Sequence, residues 1–138
     1  MDTNKLLDFK TDIKIKLSFL WATVTFLYLY GDYFELYIPK KVEGLLTGDN
    51  LLDSPLKLFF ASFLLAIPAL MILVSILLKP QINKWLNIII GLFFTGIMLL
   101  IAFTSFSPWK SFYVFYAIIE CIVTSLIVWH AFNWPKKN

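Results

Sequence analysis

Four long apolar segments make up most of the chain, and short stretches rich in proline, glycine and lysine separate them. Unbroken apolar runs of about 20 residues are typical of membrane-spanning helices, whereas strict alternation of polar and apolar residues would favour strands. The pattern predicts crossings over residues 17–38, 56–78, 85–106 and 109–134, with an outer loop over 39–55. We therefore expect a single membrane domain over residues 1–138, an all-α four-transmembrane-helix bundle.

The segment before the first crossing has a different pattern. Leu6, Phe9 and Ile13 recur at helical spacing, and charged residues occupy the other faces. A helix of this kind lies in the plane of the membrane surface. The sequence therefore predicts a short N-terminal amphipathic interfacial helix over residues 1–16.

Two Ser-Pro pairs precede predicted crossings, Ser54-Pro55 before the second and Ser107-Pro108 before the fourth. Serine is a preferred helix N-cap, and proline is favoured in the first helical position because its missing N–H is not needed there. We expect both serines to cap the helices that follow.

The composition agrees with a membrane protein and excludes several classes of function. Hydrophobic residues make up 59% of the chain and charged residues 15%, which is too little charge for a soluble domain. The single cysteine, Cys121, excludes an internal disulfide or a thiol-redox pair. We find no nucleophile–base pair, metal-ligand cluster or cofactor motif, so we expect no catalytic residue, metal or cofactor.

The lysines indicate an orientation. In a four-crossing protein the two termini and the second turn share one side, which would hold eight of the twelve lysines. Because positive residues favour the cytoplasmic side, both termini are expected in the cytoplasm. Lysines at helix ends do not indicate nucleic acid. Frequent Lys, Asn, Ile and Phe without arginine suggests an AT-rich bacterial genome, and hence a bacterial inner membrane.

Two polar stripes are the candidate site, and both are expected in the outer half of the membrane. The first crossing carries Tyr28, Asp32 and Glu35, and the last carries Tyr113, Tyr116 and Glu120. Residues three or four apart share a helix face, so each set forms one stripe. Charged groups inside a bilayer are costly and normally face the bundle interior or a water-filled cavity. We therefore predict that these six residues line one ligand-binding pocket.

A second interpretation needs no pocket. Asp32 and Glu35 could mark the outer membrane interface, with the tyrosines as the aromatic belt that is usual at that level. Glu120 would then be a hydrogen-bonded structural residue. The two interpretations differ in whether Asp32 and Glu120 face each other.

Several stretches together resemble a known family: YGDYFELYIP, VEGLLTG, AIPALMILVS, KPQINKWLNIIIGLFF, FYVFYAIIE and IVWHAFNWP. The family is a bacterial one, of small four-helix integral membrane proteins catalogued as a domain of unknown function. The resemblance covers nearly the whole chain. It implies the four-crossing architecture and supplies no activity.

The leading functional hypothesis is a non-enzymatic membrane protein that binds a small amphiphilic or cationic ligand in the pocket. One alternative is a proton-coupled small-molecule transporter in which Glu120 exchanges protons for cations, as in the small multidrug transporters. Those proteins often insert in both orientations, and the lysine asymmetry disfavours that version. Another alternative is a structural or accessory membrane subunit. The expected partners are the lipid bilayer and the small ligand, and the sequence leaves a homo-oligomer open.

Overall fold

The computed structural model describes residues 6–136, which form five α-helices and no strand. The helices are α1 (Ile13–Glu35), α2 (Lys41–Thr47), α3 (Pro55–Leu77), α4 (Pro80–Thr104) and α5 (Ser111–Phe132). All except the short α2 are long and apolar enough to cross a membrane, as expected of a multi-pass membrane protein. At about 1.5 Å per residue, 23-residue helices such as α1 are about 34 Å long, which exceeds a hydrocarbon core of about 30 Å.

The predicted N-terminal amphipathic helix is wrong for the residues that the structure describes. Residues 6–12 are not helical, and residues 13–16 form the first turn of α1. Asp12 has extended backbone angles, and its side chain accepts a hydrogen bond from the Lys14 amide at 2.8 Å. Such an N-cap starts a helix at the next residue, so α1 does not extend backwards. Residues 1–5 of the prediction lie outside the described residues.

The predicted outer loop contains a helix that the sequence analysis missed. The helix α2 has 7 residues, too few to produce a clear hydrophobic period. It ends at Gly48, whose φ of 82° is the left-handed conformation common after a helix. A side chain at Gly44 would place its Cβ 2.6 Å from the Asp49 carbonyl oxygen, so the chain folds back closely there.

The prediction that two serines cap helices is confirmed at Ser54 and is wrong at Ser107. Ser54 caps α3 by accepting a hydrogen bond from the Lys57 amide at 3.3 Å, as predicted. Ser107 forms no side-chain cap, because Pro108 opens a 3-10 turn that ends at Lys110, and α5 begins only after it. The helix α4 begins at Pro80, earlier than the predicted crossing.

The four long helices pack as an antiparallel bundle in which α1 contacts α3 and α5, and α4 lies along α5. Two lysines show which helix ends meet. The Lys14 amine donates to the Ile76 carbonyl at 3.2 Å, and the Lys84 amine donates to the Phe132 carbonyl at 3.0 Å. The start of α1, the α3–α4 turn and the end of α5 therefore lie at one end of the bundle, called here the terminal end.

Apolar side chains cover the outside of the bundle as well as its core. Large exposed residues occur along all four long helices, for example Phe26, Leu70, Ile89 and Ile118. On a soluble protein so large an apolar surface would be exceptional. It is the expected surface for contact with lipid.

A buried network of polar side chains joins three helices near the terminal end. The Trp21 indole donates to the Asn87 side-chain oxygen at 2.7 Å, and the Ser75 hydroxyl donates to the same oxygen at 3.4 Å. The Asn87 amide donates to the Asn83 side chain at 2.7 Å, and the Asn83 amide donates to the Ser75 carbonyl at 2.6 Å. All four side chains are fully buried, so these bonds connect α1, α3 and α4 where no water competes.

The helices α4 and α5 lie close together at Gly91. A Cβ at this position would lie 2.8 Å from Val128 Cγ2 and 3.6 Å from the Thr124 carbonyl oxygen. The first distance is shorter than side-chain contacts allow, so the glycine lets the two helices pack directly. Nothing lies within 4 Å of the equivalent point at Gly96 on the same helix.

These two glycines provide a matched test of the packing. Gly91→Val should destabilise the bundle by about 1–3 kcal/mol, because the added atoms overpack the α4–α5 contact. Gly96→Val should change the free energy of unfolding by less than about 0.5 kcal/mol, as is usual for exposed sites. Dodecyl sulfate titration in mixed micelles, followed by circular dichroism, measures both. Equal losses for the two variants would contradict the contact described at Gly91.

Candidate functional site

A small cavity lies between α1, α4 and α5, toward the end of the bundle opposite the terminal end. Its volume is about 30 Å³. Its lining combines acidic, phenolic and apolar side chains: Tyr28, Gly31, Asp32, Met98, Ile101, Tyr113, Tyr116, Ala117 and Glu120. A water molecule needs about 10–15 Å³ of such space, so the cavity suits one or a few waters or a small ion.

The helix α1 contributes Tyr28 and Asp32, which are four residues apart and share one helix face. The Tyr28 ring packs against Phe94, with the ring centroids 5.9 Å apart. Its hydroxyl is buried and has no hydrogen-bond partner among the described residues. Asp32 is exposed although it lines the cavity, so it lies where the cavity opens.

The helix α5 contributes Tyr113, Tyr116 and Glu120 at the same kind of spacing. Glu120 is only 3% exposed, which makes it the one buried acidic residue among residues 6–136. Its backbone carbonyl accepts a hydrogen bond from the Thr124 hydroxyl at 2.8 Å. Within the described part of the chain, no group donates to its side-chain carboxylate, which therefore faces the cavity without a protein partner.

A pair of threonines links α4 to α5 one turn along α5 from Glu120. The Thr95 hydroxyl donates to the Thr124 hydroxyl at 2.7 Å, which links α4 to α5. The Thr124 proton is directed to the Glu120 backbone carbonyl. Both hydroxyl protons are engaged in these two bonds, so neither hydroxyl donates a hydrogen bond to the Glu120 carboxylate.

Five of the six predicted site residues therefore come together around one cavity, and Asp32 and Glu120 share it. Glu35, the sixth, is not among the residues that line this cavity. It is the last residue of α1, and its carboxylate pairs with the Lys41 amine at 2.5 Å, which directs it toward α2.

Two groups of residues in and near the site were not predicted from the sequence. One comprises the small and apolar residues of the cavity lining: Gly31, Met98, Ile101 and Ala117. Gly31 and Ala117 adjoin polar residues of the two stripes, and this adjacency was a usable signal. The other is the buried Trp21–Asn87–Asn83 network, for which two asparagines four residues apart in an apolar helix were the available signal.

The lining of the cavity offers charged and neutral oxygen atoms to a ligand. Two carboxylates provide negative charge, and phenolic oxygens can complete the coordination of a cation or hold a water. Throughout residues 6–136, no group of three His, Cys, Asp or Glu side chains is placed to hold a metal ion. The donors present suit a weakly coordinated monovalent ion better than a transition metal.

Comparison with known proteins identifies the family. The model of a family described as "Family of unknown function (DUF6326)" matches residues 4–138. The chain belongs to the DUF6326 family. A comparison with curated proteins and one with solved structures found no match. The DUF6326 assignment confirms the resemblance inferred from the sequence and leaves the activity to be argued from the site.

Two hydroxyls near the cavity differ in what they do for the fold, and this difference can be tested. Tyr28→Phe removes a hydroxyl that has no partner among the described residues, so the free energy of unfolding should not fall. Thr124→Val keeps the side-chain shape but removes the link to Thr95, and should cost about 0.5–1.5 kcal/mol. Reversible unfolding in mixed micelles measures both. A larger loss for Tyr28→Phe would mean that its hydroxyl serves the fold and not the cavity.

Proposed function

We propose that this DUF6326 protein binds a small monovalent cation in the cavity between α1, α4 and α5, with Glu120 as the principal charged ligand. The observation that carries the proposal is that Glu120 is a buried residue that lines the cavity, and no group in residues 6–136 donates a hydrogen bond to its carboxylate. Tyr28 and Asp32 complete the site. Tyr28 offers a hydroxyl that has no partner among residues 6–136, and Asp32 adds a second charge at the opening.

Electrostatics favours a positively charged occupant. Moving an ionised carboxylate out of water costs several kcal/mol unless a counter-charge or hydrogen bonds compensate it. Neither compensation comes to Glu120 from the side chains that the structure describes. A bound cation or a proton would supply it, and the nearby Asp32 carboxylate would strengthen the attraction for either.

The size of the cavity favours a small cation over an amphiphile. Sites for drug-sized ligands have volumes of about 300–1,000 Å³. The cavity of about 30 Å³ is far smaller and has room for an ion such as sodium or ammonium. Of the two ligand classes predicted from the sequence, we therefore retain the cationic one.

Cation binding predicts a specific stabilisation of the folded protein. A ligand that binds only the native state raises the unfolding temperature by mass action. In neutral detergent at constant ionic strength, with N-methylglucamine as the inert cation, at least one of Li⁺, Na⁺, K⁺ and NH₄⁺ should raise the melting temperature saturably. Differential scanning fluorimetry measures the shift. Glu120→Gln should abolish it.

Glu35→Gln is the matched control, because Glu35 is a carboxylate at the same end of the bundle that pairs with Lys41 outside the cavity. This variant should retain the cation-dependent shift of the wild-type protein. An equal shift in Glu120→Gln, or no shift with any of the four cations, would contradict the proposed function.

A second candidate function is proton-coupled transport, and the buried Trp21–Asn87–Asn83 network favours it. This network lies toward the terminal end, and Phe94 lies between it and the cavity. Phe94 is buried and contacts both Trp21 and Tyr28, so it separates two polar regions of one bundle. In this version Glu120 would exchange a proton for the cation. Cation-driven acidification or alkalinisation inside dye-loaded proteoliposomes, lost in Glu120→Gln, would distinguish transport from binding alone.

The proposed location is the cytoplasmic membrane of a bacterium, with both termini in the cytoplasm and the cavity in the outer half. Lysine placement supports this orientation. Eight of the twelve lysines lie within residues 1–16, 79–84 and 136–137, which belong to the terminal end. Positive residues are retained on the cytoplasmic side, so the terminal end should face inward.

The orientation can be tested with two single-cysteine variants in a Cys121→Ala background. Asp49→Cys, which follows α2, should react with a membrane-impermeant maleimide in intact cells. Lys136→Cys, after α5, should react only once the cells are permeabilised. Gel-shift labelling measures both. Reaction of Lys136→Cys in intact cells would reverse or reject the proposed orientation.

A further inference from the structure

A second and larger cleft lies at the terminal end, between the segment before α1 and the last turn of α5. Its volume is about 620 Å³, compared with about 30 Å³ for the Glu120 cavity. The polar and aromatic side chains that line it include Lys10, Lys16, Trp129, His130, Asn133 and Trp134. The two sites have no lining residue in common, so an inference about this cleft does not depend on the proposed cation site.

The lysines of the cleft differ from their neighbours in having no hydrogen-bond partner within residues 6–136. Lys14 and Lys84 donate to backbone carbonyls of Ile76 and Phe132 near the ends of α3 and α5. Lys10 and Lys16 are exposed, and neither donates to any group in residues 6–136. Their charges are therefore available to a ligand in the cleft.

Among the described residues that line the cleft, the single acidic one takes part in a helix cap. Asp12 also lines the cleft, but its carboxylate accepts the Lys14 amide and caps α1. Among residues 6–136, the cleft thus holds two lysine amines without a hydrogen-bond partner and one carboxylate, so its positive charges outnumber its negative ones. Its net electrostatic preference is for an anion.

The aromatic residues favour a position of the cleft at the level of lipid headgroups. Trp129 is exposed and Trp134 is partly exposed near the end of α5, and tryptophans of membrane proteins concentrate at the membrane–water interface. The His130 ring packs against Trp129, with the centroids 4.8 Å apart, and the Asn133 side chain follows one turn later. The imidazole and amide add neutral hydrogen-bonding groups between the lysines and the tryptophans.

We propose that this cleft binds the phosphate group of an anionic phospholipid, with Lys10 and Lys16 as its counter-charges. The recognised chemistry is a phosphate ester, which a free anion or a lipid headgroup could provide. The adjacent tryptophans and the apolar sides of the bundle favour the lipid, because they continue the site along its acyl chains. Basic pockets beside membrane helices are a known type of site for acidic headgroups. The volume admits a headgroup such as phosphatidylglycerol.

The test measures lipid selectivity of the full-length protein. The protein is equilibrated in mixed micelles with equal amounts of phosphatidylglycerol and phosphatidylcholine of identical acyl chains. Native mass spectrometry then gives the ratio of the two lipids retained. The wild-type protein should retain the anionic lipid preferentially. Lys16→Gln should reduce the ratio about fivefold, and Lys10→Gln/Lys16→Gln should reduce it further.

Two variants separate a site from a general effect of charge. Lys79→Gln removes an exposed lysine at the same end of the bundle but outside the cleft, so it should leave the ratio near that of the wild type. Lys16→Arg keeps the charge and should retain the preference. Equal losses in Lys16→Gln and Lys79→Gln would overturn the proposal.

A competition arm separates the two sources of phosphate. Millimolar glycerol phosphate should not displace phosphatidylglycerol, because it lacks the acyl chains that hold the lipid beside the tryptophans. Displacement by glycerol phosphate would overturn the assignment to a lipid, as would equal retention of both lipids by the wild-type protein.

Discussion

The cost of holding a carboxylate inside a membrane is the constraint on which this structure depends. A charge at mid-membrane depth must face a partner, water or a cavity, since lipid offers no hydrogen bonds. Glu120 lies about 14 Å along α5 from its first residue, too deep for its short side chain to reach a membrane surface. Its position therefore fixes which face of α5 turns inward. The tyrosine stripe of α5 and the facing stripe of α1 follow from that rotation.

The rest of the packing holds this arrangement in place by contacts that do not involve the cavity. Gly91 lets α4 lie directly against α5, and the Thr95–Thr124 hydrogen bond fixes the two helices beside Glu120. Near the terminal end, Asn87 ties α1 to α4 through the Trp21 indole. These polar contacts matter because apolar packing alone does not distinguish helix neighbours from lipid. A bundle held in this way can keep one carboxylate unpaired without losing its structure.

Features of the fold and of the site that depend on apolar length or on rare charges could be predicted from the sequence, whereas those that depend on local loop structure could not. The four long helices follow from apolar length alone, since a membrane demands complete backbone hydrogen bonding. That Asp32 and Glu120 line one cavity was predictable, because few charged residues occur in these helices and the two carboxylates lie at similar depths. The pairing of Glu35 with Lys41 was not, because it depends on the fold of the following loop around α2. The start of α1 at Ile13 was not predictable either. It depends on one capping hydrogen bond at Asp12, and the weak amphipathic pattern of the preceding residues favoured an earlier helix.

The most direct test of the central claim is an infrared difference spectrum of the protein in lipid, recorded as N-methylglucamine is exchanged for a small monovalent cation. Carboxyl stretching bands report the environment and ionisation of individual acidic side chains. The account predicts cation-dependent carboxyl bands that disappear in Glu120→Gln and persist in Glu35→Gln. A cation-dependent spectrum that is identical in the wild-type and Glu120→Gln proteins would contradict it.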